Sequence, residues 1–104
     1  MNINDLCIKC HSIARDKGFW DEKRNEGEII ALIHSELSEA LEGLRKGNPM
    51  SSKIPRYTIL EEELADTIIR ICDLAGAKKL RLEEAISAKI KYNTRRKRKH
   101  GKEF

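Results

Sequence analysis

Two short stretches carry residue types whose spacing could do chemistry. Glu36-Leu-Ser-Glu39 and Glu63-Leu-Ala-Asp66 each set two carboxylates three residues apart, with 23 residues between the motifs. Residues three apart on a helix share a face. If the two helices pack antiparallel, four carboxylates converge on one point, and their repulsion demands cations. Ligands that are all oxygen favour Mg²⁺ or Mn²⁺, and Mg²⁺ usually completes its octahedron with water and substrate phosphates. The spacing therefore points to a divalent-metal centre built from Glu36, Glu39, Glu63 and Asp66.

Glu36 is the most telling of the four. At about 100° per residue, Ile29, Ala40 and Ile33 fall within roughly 60° of it on one side, and Leu32 about 40° away on the other. Leu44 extends the same apolar arc, while Glu39 lies at its edge with Glu28 beside it. A carboxylate inside such an arc is costly unless a cation or hydrogen-bond donors meet it. Glu39, Glu62 and Asp73, taken singly, suit a solvated helix face, and Asp66 with Arg70 has the spacing of an i,i+4 ion pair. Neither account covers Glu36.

The elements that must position these groups are helices. Helical spacing dominates the chain, and no alternating apolar run is long enough for a sheet. A first helix is expected over residues 4–17, with Leu6, Ile13 and Ala14 on one side and Gly18 at its end. A second runs from Glu26 to Arg45, its Glu26 and Glu28 suited to the positive N-terminal end, and stops at Gly47-Asn48-Pro49. Met50–Arg56 is a loop, either closing over substrate or simply connecting. A third helix runs from Thr58 to Ala75 and stops at Gly76, with Leu60, Leu64, Ile68, Ile71 and Ala75 as its apolar stripe and Glu63, Asp66 and Asp73 on the border. A fourth starts near Leu82, carries Ala85, Ile86 and Ile90, and continues into a basic tail. Short connections favour antiparallel neighbours, so the expected fold is all-α, an antiparallel four-helix bundle-like domain over residues 1–96 with a tail at 97–104.

At 104 residues, 39% apolar and 37% charged, the chain has room for one small core. A homodimer or a dimer of dimers would bury more of its surface. No N-terminal apolar run resembles a signal peptide and no stretch approaches the ~20 apolar residues of a membrane span, so a soluble, cytoplasmic protein without a membrane partner is expected. Three cysteines are an odd number and suit a reducing compartment. Cys7-x-x-Cys10-His11 has no second ligand pair for a structural zinc site, so the two thiols read as small half-buried helix residues.

Charge is unevenly spread. Residues 89–104 hold eight Lys/Arg against one Glu, while residues 1–88 hold thirteen Lys/Arg against sixteen Asp/Glu. One reading of "TRRKRKHGK" is an arm that binds RNA or DNA through phosphate neutralisation, making the protein a helical nucleic-acid-binding module. Another is a metal-dependent or structural helical dimer without catalysis, of the kind an antitoxin-like partner would be. The first leaves Glu36 without a purpose.

The paired motifs, together with "GFWDEKRNEGEIIALIHSELSEALE" and "KIKYNTRRKRKHGKEF", resemble the small stand-alone MazG-type all-α nucleoside triphosphate pyrophosphohydrolases. That superfamily, marked by an ExxE helix followed by an ExxD helix, includes dimeric dUTPases and dCTP pyrophosphatases. One position departs: Ser35 stands where many members carry a further Glu. The resemblance implies Mg²⁺-dependent attack of water on a nucleoside triphosphate, releasing a monophosphate and pyrophosphate, and a house-cleaning role in the nucleotide pool. Glu36, Glu39, Glu63 and Asp66 would hold the metal, and Glu39 or Glu36 would position or deprotonate the water. Lys89, Lys91, Asn93 and Arg96 look like the family's basic, Asn-containing phosphate element, Asn93 and Arg96 foremost. Trp20 and His11 are the candidates for base contact, Trp20 having the end of the bundle as its other use; Tyr92 is either core or base contact. His34 reads as packing or a hydrogen bond.

Overall fold

A computed structural model describes residues 2–104. These form four α-helices, a short 3₁₀ turn at Arg98–Gly101 in the tail, and no strand: α1 (Ile3–Asp16), α2 (Glu26–Arg45), α3 (Ile59–Lys78) and α4 (Leu82–Thr94). Three of the starts are fixed by side-chain caps, each satisfying a backbone N–H that the helix leaves without a partner. Asn2 accepts from Asp5 N, Asn25 accepts from Glu28 N, and Thr58 with Glu61 makes a reciprocal capping box. α4 has no such cap; its first-turn Glu83 instead accepts from the Ile3 and Asn4 backbone N–H groups, at 2.9 and 3.3 Å, and so ties α4 to the start of α1.

The α2–α3 connection is a built turn. Ser51 N donates to the Tyr57 carbonyl at 2.7 Å, and Met50 and Thr58 form an isolated antiparallel bridge. Ser51 is buried; its hydroxyl accepts from Lys53 N and Ile54 N and donates to Glu62 Oε1 at 2.6 Å. The fold of this loop is thus anchored to α3 one residue away from Glu63.

α3 is the central element, with α1 and α2 packed against it and α4 against α1. Cys7 and Cys10 of α1 meet Cys72 and Ala75 of α3 in the core, with Ile3, Leu6 and Leu82 packed around them. The thiols are free and buried, as small apolar residues would be, and burial pushes Cys72 up to about 12. Ile13, expected on the inner side of α1, is half exposed.

Two expectations for α3 need correction. The helix does not stop at Gly76: it continues to Lys78 and ends at Lys79, which takes the left-handed conformation at φ 54°. Gly76 is there for close approach, since a Cβ on it would lie 2.5 Å from the Cys7 carbonyl oxygen. The inner face also differs. Glu63, Thr67, Cys72, Asp73 and Ala75 are buried, whereas Leu64, Ile68 and Ile71 of the expected apolar stripe are exposed. α3 turns its acidic border toward α2 and leaves its aliphatic stripe outside.

The same is true more widely. Ile30, Leu37, Leu41 and Leu44 of α2 are exposed, and α4 contributes no buried residue, so one chain does not close a four-helix bundle on itself. The accessible surface is 8386 Å², against about 6,000 Å² for a compact monomer of this mass. The radius of gyration is 16.0 Å, where about 13 Å is typical of a 100-residue domain. Among the described residues no helix is long and apolar enough to cross a membrane.

Candidate functional site

α2 buries Ile29, Ile33, Glu36, Ala40 and Gly43, a stripe at alternating spacings of four and three residues with Glu36 at its centre. Opposite Glu36, α3 buries Glu63. One carboxylate oxygen from each of Glu36, Glu39 and Glu63 lies within 4.8 Å of the others, and a second group of the same tightness joins Glu62, Glu63 and Asp66. Glu63 belongs to both groups. The two sequence motifs therefore meet through Glu63, with Asp66 in the second group and not beside Glu36 and Glu39 at one point, and Glu62, which suited a solvated face, joins that group while fastened to Ser51.

The electrostatics of this cluster are severe. Burial, with Glu39 and Asp66 sharing hydrogen bonds to it, pushes Glu63 up to about 8. Glu36 is also raised, by burial first, against the opposing pull of Arg70. The Arg70 Nε lies 3.5 Å from Glu36 Oε1. Arg70 thus pairs across the helix gap with α2, and the i,i+4 pair with Asp66 is absent among the ion pairs of the described residues. An all-oxygen donor set, short of cations and partly shielded from water, fits a hard divalent ion such as Mg²⁺ or Mn²⁺.

A cavity of about 400 Å³ opens beside the cluster. Glu36, Glu39, Asp66 and Arg70 line one part of it, and Ala14, Phe19, Arg24, Lys53, Ile69 and Asp73 the rest. Glu39 is exposed and lines the cavity, whereas Ser35 donates to the Leu32 carbonyl and does not line it. Lys53 comes from the Ser51-anchored turn, so the loop supplies a cation to the cavity rather than only joining helices.

Asp73 is a hub that the helical pattern alone places on a solvated border. It is buried, and its Oδ1 accepts from Trp20 Nε1 at 2.9 Å and lies 3.0 Å from His11 Nδ1. Arg24 Nη1 is 3.7 Å from Oδ2, and its guanidinium sits 4.9 Å from the centre of the Trp20 ring. Trp20 and His11, the residues proposed for base contact, are thereby committed to Asp73 and to each other, with ring centres 5.2 Å apart in an edge-on arrangement. Neither lines the cavity; the aromatic residue that does is Phe19. Arg24, Lys53 and Phe19 lie in connections, where no periodicity singles them out. His34 is exposed.

The basic element of α4 stands apart. Lys89 Nζ and the Arg96 guanidinium lie 4.6 and 5.4 Å from the Tyr92 ring centre. Asn93 Oδ1 is withdrawn from solvent without a hydrogen-bond partner among the described residues. None of Lys89, Lys91, Asn93 or Arg96 lines the cavity of its own chain. In comparisons with known proteins, no family model, no curated protein and no solved structure matches the chain.

Proposed function

We propose that the protein is a Mg²⁺-dependent nucleoside triphosphate pyrophosphohydrolase of the MazG type, cleaving a (d)NTP to the (d)NMP and pyrophosphate. The observation that carries this reading is a pair of carboxylate groups, Glu36 with Glu39 and Glu63, and Glu62 with Glu63 and Asp66, joined at Glu63 beside a cavity, with Glu36 and Glu63 buried. Buried acids at such a cost need a cation, and among the described residues only Arg70 pairs with them. Glu36, Glu39 and Glu63 would hold Mg²⁺, or Mn²⁺ in its place, with Asp66 and Glu62 extending the site through Glu63. The ion supplies charge neutralisation on the phosphates and a more acidic water.

The chain's own groups have definable tasks. Glu39, the exposed acid, orients a water and accepts its proton as the water oxygen bonds to the α-phosphorus. The bond from that phosphorus to the α–β bridging oxygen breaks, and pyrophosphate leaves with the electron pair. Lys53, Arg24 and Arg70 meet phosphate charge inside the cavity, where arginine can hold two oxygens at once. Phe19 offers a face to the base, and Trp20 and His11 shape that end through Asp73. We assign a homodimer or dimer of dimers to the exposed aliphatic faces of α2 and α3, with α4 of a second copy supplying Lys89, Lys91, Asn93 and Arg96 to the phosphates. The free thiols fit the cytoplasm, and removal of unsuitable nucleotides is the role such a reaction would serve.

Two experiments test the reading. Glu36→Gln removes a ligand charge at nearly constant shape, and turnover should fall by about two orders of magnitude or more while helical content stays; full turnover would remove Glu36 from the centre. Hydrolysis in H₂¹⁸O should place the label in the monophosphate, since attack at the β-phosphorus would label pyrophosphate instead. The exposed basic tail supports the rival nucleic-acid module, whose binding would fall steeply with salt and ignore Mg²⁺.

A further inference from the structure

We propose that Arg70 is a built-in counter-cation of the carboxylate centre, holding it together without metal and competing with the divalent ion for it. The inference rests on the metal-centre reading of the preceding section and adds a control on how that centre fills.

Three observations carry it. Arg70 Nε is 3.5 Å from Glu36 Oε1, and the Glu36 side chain is 11% exposed, so the contact is made where water screens it weakly. Among the described residues no other Lys, Arg or His nitrogen comes within 4.0 Å of an oxygen of Glu36, Glu39, Glu63 or Asp66. Four acids thus share one protein cation. Finally, Arg70 stands one helical turn from Asp66, the partner that helix geometry offers it at no reach. It instead extends from α3 across to α2 and puts its charge between the helices that carry the ligands.

A cation so placed has two consequences of opposite sign. Without metal it offsets part of the repulsion among the acids, and the packing of α2 on α3 is firmer for it. Toward an incoming divalent ion it is a like charge, and a unit charge beside a divalent one weakens binding on the order of tenfold even when largely screened. Binding of the ion therefore displaces Arg70 from Glu36. The displaced guanidinium has a place to go, because Arg70 lines the cavity and a third of its side chain is exposed. The centre is thereby kept from binding a divalent ion too tightly, and the released fork becomes a donor for an anion in the cavity.

Mn²⁺ binding to the full chain without nucleotide, followed by electron paramagnetic resonance, tests the competition. Arg70→Gln should bind Mn²⁺ about tenfold more tightly than the wild type, and Arg70→Lys, which keeps the charge, should stay near it. The metal-free Arg70→Gln protein should melt below the wild type and recover most of the difference with Mg²⁺. Binding that is equal or weaker in Arg70→Gln would show that Arg70 only orients Glu36 and would overturn the inference, while the metal centre stands. Absence of Mn²⁺ binding by wild type and both variants would defeat the metal centre and this inference together. A measurement on the unaltered chain covers loss of folding in the variants: the Arg70 Nε–H resonance should move as Mg²⁺ is added, and a resonance that stays in place through saturation would equally overturn displacement.

Discussion

An ionised Glu63 would face two other acids from within the α2–α3 interface, and its carboxyl is instead pushed up to about 8 by burial and by Glu39 and Asp66. That shift has a direct consequence for stability. The unfolded chain loses this proton near pH 4.3, whereas the folded chain keeps it until about 8. Between those values the folded state binds more protons, so stability falls as pH rises through the window and the penalty is complete above it. Metal-free protein should therefore lose several degrees of melting temperature from about pH 5 to about pH 8. Saturating Mg²⁺ should remove most of that decline, with release of about one proton per ion bound near neutral pH. A melting temperature that is flat with pH, or a decline that Mg²⁺ leaves untouched, would mean that Glu63 is not held protonated in a metal site. The four acids are legible in the sequence because helical spacing by itself sets a face. Asp73 is not, because the donors that bury it come from α1 and from the connection carrying Trp20 and Arg24.

At the scale of elements, α3 decides the arrangement, and two glycines set how closely its neighbours approach. A Cβ on Gly76 would lie 2.5 Å from the Cys7 carbonyl oxygen of α1, which is backbone and cannot yield without moving the helix. A Cβ on Gly43 would lie 2.5 Å from the Ile59 Cγ2 and 3.1 Å from its Cβ, at the start of α3, where a stiff β-branched side chain relieves the contact only in part. Gly76→Ala should thus destabilise by about 2–3 kcal/mol net of the helix propensity it gains, and Gly43→Ala by less, about 1–2 kcal/mol, as read from denaturant melts. The reverse order would mean that α1 does not sit on α3 at this distance. Gly76 also explains why the end of α3 is misread in the sequence: a glycine needed for helix contact and a glycine that ends a helix look the same in one dimension. Helix number and order are legible, since apolar spacing and the Gly and Pro breaks between the runs mark them. Which side of α3 faces inward is not, because a stripe of Leu64, Ile68 and Ile71 signals burial without saying whether the partner is in the same chain.

For the whole molecule, that outward stripe is the main unsettled energy. The chain exposes about 2,400 Å² more than a compact monomer of its mass would, the scale buried per partner in obligate assemblies. Light scattering at micromolar concentration should return a dimer or tetramer of the 12.0 kDa chain. Ile68→Glu, at a residue 52% exposed and outside the cavity, should shift the mass toward the monomer while leaving helical content largely in place. A wild type that stays monomeric would leave the α4 cations far from any phosphate, and the proposed site would have to work with Arg24, Lys53 and Arg70 alone. The reaction itself is read from pyrophosphate release across a panel of standard and modified dNTPs and NTPs, with and without Mg²⁺. Release from at least one of them should require Mg²⁺ and be lost in Glu36→Gln. Release from none, with Mg²⁺ saturating and the protein folded, would contradict the proposed reaction.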